Sequence, residues 1–371
     1  MLVDSDPSVE MELNTNDVSE REVAGLPVLS SKKVPAQRRL LFVNCYGGRT
    51  AWNLIKARVY PTHHLWGCVE LVHLGYEVAL ASPLPDFDRA RPLPHDLALL
   101  RVARSWLGRD GILYCGHNNF FWLPFLRALG VDCGRMVSLL YAREPLAFAK
   151  GYAGVIGLTP PAAEQARRLA PKAQASYVGW GVDLNFFPEM TYKPERFLAC
   201  GKTHRDHRTL AAAVAQCKLE VQLVCPGLVR DASWPAELML VTEGGAGSHI
   251  AEPDLIDRFY RPCIAALIIL EDDPAEETAV GFTNLIEAMA LARPVIVTQT
   301  GALARELDVE KAGCGLHVPP NDPVALANAM TYLATHRDEA AAMGQRGRQL
   351  CEQHYNSTRH AAALHEFFQQ L

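Results

Sequence analysis

The residues best suited to chemistry lie in Gly281-Phe282-Thr283-Asn284-Leu285-Ile286-Glu287, which opens on a glycine and runs into Ala288-Met289-Ala290 as a predicted helix. Backbone N–H groups around Phe282, Thr283 and Asn284 suit a diphosphate at the positive end of that helix, and Glu287 suits the hydrogen bonds of a ribose diol. Arg293-Pro294-Val295-Ile296-Val297 follows as a buried parallel strand and leads to Thr300-Gly301. A second element, Gly201-Lys202-Thr203-His204-Arg205-Asp206, follows another predicted strand, and open α/β sheets bind ligands at the carboxyl ends of their strands. Lys202 and Arg205 would stabilise the negative charge that a departing nucleoside diphosphate gains. With Gly48, Gly201, Gly227 and Gly281, these residues make the expected binding set for a nucleotide-sugar donor. The competing readings are structural: a dipole-complementing acid for Glu287 and a solvated loop for Lys202 and Arg205.

The first half offers His117, in Cys115-Gly116-His117-Asn118-Asn119, at the carboxyl end of a predicted strand, where it would orient an acceptor hydroxyl or the transferred sugar. His63 and His64, in Pro61-Thr62-His63-His64-Leu65-Trp66, are its rivals, and a plain polar loop residue is the alternative for each. Neither histidine cluster reads as a metal triad, so no metal or cofactor is expected beyond the donor itself. Arg49, Trp52, Trp66, Trp122 and Arg143 are candidates for an acceptor groove. Arg49 has the stronger claim beside Gly47-Gly48, whereas Trp122, inside a helical apolar stripe, is expected in the core.

These groups need a scaffold of alternating strands and helices. Leu40-Leu41-Phe42-Val43, Val78-Ala79-Leu80, Ile112-Leu113-Tyr114, Val137-Ser138-Leu139 and Val155-Ile156-Gly157 are short apolar runs separated by helical stretches, and a second such series begins at Arg196. That alternation predicts an α/β protein with parallel sheets covered on both faces. At 371 residues, 49% hydrophobic and 21% charged, the chain suits two domains.

The acidic, aperiodic residues 1–36 are expected to form a mobile arm. Residues 37–186 carry 17 Lys and Arg against 10 Asp and Glu, a net +7 in a chain of net −5, which favours an anionic acceptor or an acidic membrane surface. No basic run interleaved with aromatics points to nucleic acid. The ten cysteines form no Cys-x-x-Cys pair and read as buried thiols. Without a signal-peptide pattern or a long apolar run, a cytoplasmic protein is expected, with peripheral contact at the inner face of the membrane through its basic half.

Three segments carry a family resemblance: Gly181-Val182-Asp183-Leu184-Asn185-Phe186-Phe187-Pro188, the Gly201-Lys202…Arg205 loop, and the Glu287-Ala288-Met289-Ala290 helix before Pro294-Val295. They resemble retaining glycosyltransferases of the GT-B fold, family-4 type, also called glycosyl transferases group 1. The resemblance implies two Rossmann-like domains facing across a cleft. Residues 37–188 would form the acceptor side, 189–355 the donor side, and 356–371 a last helix crossing back to the first domain. It also implies metal-independent transfer of a hexose from a nucleoside-diphosphate sugar to a small-molecule, glycan or lipid-linked acceptor. The family pairs its helix glutamate with another eight positions earlier; Ala279 stands there, with Glu276 and Glu277 displaced. That departure keeps open a catalytically impaired nucleotide-sugar-binding or scaffolding protein, and the shared architecture keeps open a nucleotide-sugar 2-epimerase.

Overall fold

The computed structural model describes residues 14–44, 47–82, 93–116, 120, 122–243 and 250–371. Strands β1 (Val18–Val23), β2 (Leu26–Ser31), β3 (Arg38–Val43), β4 (Tyr76–Ala81), β5 (Ile112–Cys115), β6 (Arg135–Leu140), β7 (Gly154–Gly157) and β8 (Gln174–Tyr177) build one sheet in the order β1-β2-β4-β3-β5-β6-β7-β8. Strands β9 (Arg196–Cys200), β10 (Val221–Val224), β11 (Leu238–Val241), β12 (Cys263–Ile268), β13 (Val295–Thr298) and β14 (Gly315–Val318) build a second, in the order β11-β10-β9-β12-β13-β14. All neighbours in the second sheet are parallel, as are β3 to β8 in the first. The apolar runs explain this arrangement: Leu40, Leu41, Phe42 and Val43 are each fully buried, as a strand covered by helices on both faces requires.

The N-terminal segment departs from the expected arm. Residues 18–31 form an antiparallel hairpin that extends the first sheet through β2 and β4. Its two-residue turn, Ala24-Gly25, has positive φ at both positions (51° and 79°), the conformation that matches the twist of a tight hairpin. Composition concealed the hairpin because its acids are partnered far along the chain. Glu20 accepts from Trp52 Nε1 (2.9 Å) and Lys56 Nζ (2.6 Å), and Glu22 pairs with Arg49 (3.1 Å). Arg49 is thereby committed to the hairpin and not to a ligand groove. Trp122 also departs from expectation: it is 43% exposed, with its ring near Phe148 (6.4 Å). Trp52 and Trp66 are buried, and Arg143 reaches Glu276 of the second half at 2.8 Å.

The chain crosses between the halves twice, side by side. Val182 N donates to Tyr355 O (2.8 Å) and Ser357 N donates to Val182 O (2.9 Å), so the outgoing segment and the returning one form a parallel bridge. Helix Ser357–Gln369 then packs on the first half: His360 Nδ1 contacts Gly179 O (2.7 Å), Phe368 meets Tyr114 edge-on, and Arg38 donates to Phe368 O. The nine described cysteines are free thiols. No helix among the described residues is long and apolar enough to cross a membrane.

At the crossing, a Cβ on Gly181 would sit 2.4 Å from Asn356 O. Gly181→Ala is therefore expected to cost about 1–3 kcal/mol of stability, through the overpacking of two backbone segments that cannot separate. A lowered midpoint in urea denaturation checks it; a wild-type midpoint would mean that the crossing is slack.

Candidate functional site

The carboxyl edge of the second sheet gathers most of the expected donor residues. Helix Phe282–Ala290 opens at Gly281, whose φ of +89° and close approach to Ile268 (2.8 Å from a built Cβ) leave room for glycine only. Phe282 is buried against Trp180 and Tyr355, which holds the start of the helix against the crossing segments. The loop after β9 folds over Gly201, at φ +118°, so that Arg205 donates to Cys200 O (3.3 Å), Thr203 O (2.9 Å) and Asn284 Oδ1 (2.6 Å). A guanidinium is thus fixed beside the positive end of a helix, two features that favour the same anion. Lys202 is exposed at the neighbouring edge, close enough that its charge opposes the upward push of burial on the Cys225 thiol. Gly227 follows Cys225 in the turn after β10, at φ +83°.

Thr283 and Asn284 are half-buried at the helix opening. The acids displaced from the expected position near Ala279 do not stand in for it. Glu276 is held by Arg143 (2.8 Å) and Arg305 (3.2 Å), and Glu277 is exposed with its N–H on Asp273. Asp273, which sequence reading passed over, organises this loop by accepting from Thr278 N (2.9 Å) and Thr278 Oγ1 (3.0 Å).

Glu287 is enclosed, not open: it is 3% exposed, and burial pushes its carboxyl up to about 8. Glu252, at the start of helix Glu252–Leu255, is pushed up to about 8 as well, by burial and then by Glu287. Two carboxyls so close in an apolar setting disfavour a second negative charge. Sequence reading missed Glu252 because an acid at a helix start has an ordinary explanation in the helix dipole.

The first half closes another side of Glu287. His63 Nε2 lies 3.4 Å from Glu287 Oε1, and both side chains are almost fully enclosed. His64 tilts against His63 at 4.5 Å and stacks on Tyr60 at 4.4 Å. One donor atom from each of His63, His64 and Glu287 falls within 4.8 Å of the others, a spacing that fits a metal ion. The hydrogen bonds argue otherwise for His63. Its Nδ1 accepts from Asp183 N (3.1 Å), which puts the proton on Nε2 and removes the lone pair that a metal would need there. Burial holds the ring neutral by lowering its pKa to about 4.

Two expected residues belong to the first half of the chain. Gly48 donates its N–H to Ser82 Oγ (2.7 Å) at the start of helix Gly48–Lys56, where a Cβ built on it would sit 3.0 Å from Leu80 Cβ. His117 lies outside the described residues.

Residues 256–336 match the model of the family described as Glycosyl transferases group 1, a segment that holds Glu287 but begins after Lys202 and Arg205. No curated protein matches the chain in sequence. Among solved structures, the chain is similar to sucrose-phosphate synthase from Thermosynechococcus elongatus, with 15% identity and TM-score 0.66 over 90% of this chain and 99% of that one. It is similar to HepE of Anabaena in complex with UDP and glucose, with 13% identity and TM-score 0.59 over 90% of this chain and 100% of that one. A third is the UDP-forming α,α-trehalose-phosphate synthase from Burkholderia vietnamiensis, with 11% identity and TM-score 0.58 over 90% and 100%. The fold is that of the GT-B glycosyltransferases.

The buried acid pair has a consequence for stability. A carboxyl raised from 4.5 to about 8 in the folded state contributes stability in full below pH 4.5, and this is lost as pH rises through 8. Glu252→Gln removes one such group, so its denaturation midpoint is expected to fall less than that of wild type between pH 5 and 9. Parallel midpoint-against-pH curves would contradict the burial of this carboxyl.

Proposed function

We propose that the protein is a glycosyltransferase that moves a hexose from a nucleoside-diphosphate sugar to an acceptor hydroxyl, without a metal and with retention of configuration. The observation that carries this reading is the Arg205–Asn284 contact, which seats a cation at the opening of a glycine-started helix on the carboxyl edge of a parallel sheet. Cleavage of the glycosidic bond sends charge onto the diphosphate, and Arg205, Lys202 and the N–H groups of helix Phe282–Ala290 receive it. Retention is the outcome when the acceptor attacks on the face from which the diphosphate leaves, and cations fixed on that face hold the leaving group beside it. Glu287 binds the ribose diol as its enclosure opens to the nucleotide.

His117 remains the candidate for orienting the acceptor or the sugar. UDP is the first nucleotide to test, because HepE binds UDP and UDP-glucose. The acceptor side belongs to the basic first half, in the cytoplasm. There the half-exposed Trp122 and Phe148, with Lys150 two residues further on, support peripheral contact with an acidic membrane surface.

A second reading, nucleotide-sugar binding without transfer, is favoured by one observation: Ala279 lacks the sugar-facing carboxylate, and Glu276 is committed to Arg143 and Arg305. Transfer or slow hydrolysis of the donor by purified protein rejects it.

The nucleotide can be found by thermal shift against UDP, GDP, ADP, CDP and TDP, since a ligand at 100 times its Kd stabilises by about 2.7 kcal/mol. Arg205→Ala is expected to weaken the selected diphosphate by about 1.5–3 kcal/mol in calorimetry while leaving the bare nucleoside unchanged. Equal losses for both ligands would remove Arg205 from the phosphate site. Transfer is expected to continue in EDTA; loss of activity restored by magnesium or manganese would refute the metal-free mechanism.

A further inference from the structure

His63 is buried in the first half yet faces the helix of the second, and its hydrogen bonds leave it one role. The ring stands in the short turn Thr62–Leu65, which a cluster around Asp183 holds in place. Asp183 accepts from Thr62 N (3.0 Å), Thr62 Oγ1 (3.0 Å), Asn185 N (3.1 Å) and Phe186 N (3.2 Å), and its own N–H goes to His63 Nδ1. Thr62 Oγ1 also lies 2.7 Å from Glu70 Oε1, and one hydroxyl proton cannot serve two carboxylates. Burial pushes Glu70 up to about 7, so below that pH its neutral carboxyl donates to Thr62 and leaves the hydroxyl proton for Asp183. The His63 tautomer is set separately, by the Asp183 N–H at Nδ1, which leaves the ring proton on Nε2, 3.4 Å from Glu287 Oε1. No hydrogen-bond partner for that proton stands among the described residues, and Glu287 Oε1, at 3.4 Å, is the acceptor that a small shift of the carboxyl would bring to it.

We propose that His63 is a positioning residue of the donor site: contributed by the half opposite the helix, it orients the Glu287 carboxyl for the donor through an Nε2–H whose tautomer is locked by the backbone of Asp183. The inference rests on the reading of Glu287 as the carboxyl that binds the donor. Asp183 lies in the segment that joins the two sheets. The donor carboxyl is then in its working orientation only when that segment and the first half are seated against the second.

The test measures UDP affinity by calorimetry for the full-length chain and its variants. His63→Asn keeps an acceptor for the Asp183 N–H but cannot reach Glu287, so it preserves the fold while removing the single contact at issue. Glu287→Gln and His63→Asn are each expected to weaken UDP by about tenfold, and His63→Gln, whose longer amide restores an N–H toward Glu287, to recover to within about threefold. The His63→Asn/Glu287→Gln double variant is expected to lose no more than Glu287→Gln alone, because one acts through the other. Wild-type affinity in His63→Asn beside a loss in Glu287→Gln would overturn the positioning role, as would additive losses. Unchanged affinity in Glu287→Gln, or no binding of UDP, GDP or ADP by wild type, would overturn the donor-site reading instead. A spectroscopic check is independent of both: in 15N-labelled protein the His63 ring is expected neutral with its proton on Nε2 at pH 7, and a proton on Nδ1 would overturn the proposal.

Discussion

Asp183 is the constraint on which the relation between the two halves depends. A carboxylate 5% exposed is costly to bury, and here four hydrogen bonds from Thr62, Asn185 and Phe186 offset that cost. Because the donors come from the first half and from the joining segment itself, the bonds that solvate the charge also fix where that segment leaves the first half. The adjacent backbone adds the Val182 bridge to Tyr355 and Ser357, so the outgoing and returning strands of the chain are tied at one place. Gly181 permits that approach.

From this anchor the site divides its work by dielectric setting. Lys202 is exposed, and Arg205 with Thr283 and Asn284 at the opening of helix Phe282–Ala290 is half-buried, a setting in which cations meet an anion. Glu287 and Glu252 lie in an enclosed setting that holds their carboxyls neutral to about pH 8, where they act as hydrogen-bonding groups. A nucleoside diphosphate has one end suited to each setting. The Arg143–Glu276–Arg305 group also spans the halves, and Arg305 pairs in addition with Glu164 of the first half at 2.8 Å. The acid nearest to the vacated Ala279 position has thereby become part of the contact between halves.

Much of the scaffold was legible in the sequence because its signals are local. Short apolar runs such as Leu40-Leu41-Phe42-Val43 and Val295-Ile296-Val297 can only be strands covered on both faces, and Gly281 before an apolar helix marks a tight entry. The N-terminal hairpin was missed because acidity argued for an arm, and the cations that neutralise Glu20 and Glu22 lie more than twenty residues away. Trp122 was misjudged because a helical stripe reports which residues share a face and not whether that face is covered.

The sequence by itself determined the strand–helix alternation, the two-sheet architecture and the set of groups able to meet a diphosphate, since each depends on residues close together in the chain. Only the tertiary structure decided which of them meet. His63 and Asp183 stand 120 residues apart, Arg205 and Asn284 79 apart, and no periodicity links such pairs. The protonation of Glu287, the tautomer of His63 and the commitment of Arg49 to a hairpin follow from burial and from partners that the fold brings together. Charge and hydrogen-bond direction belong to an environment, and an environment exists only once the chain has closed on itself.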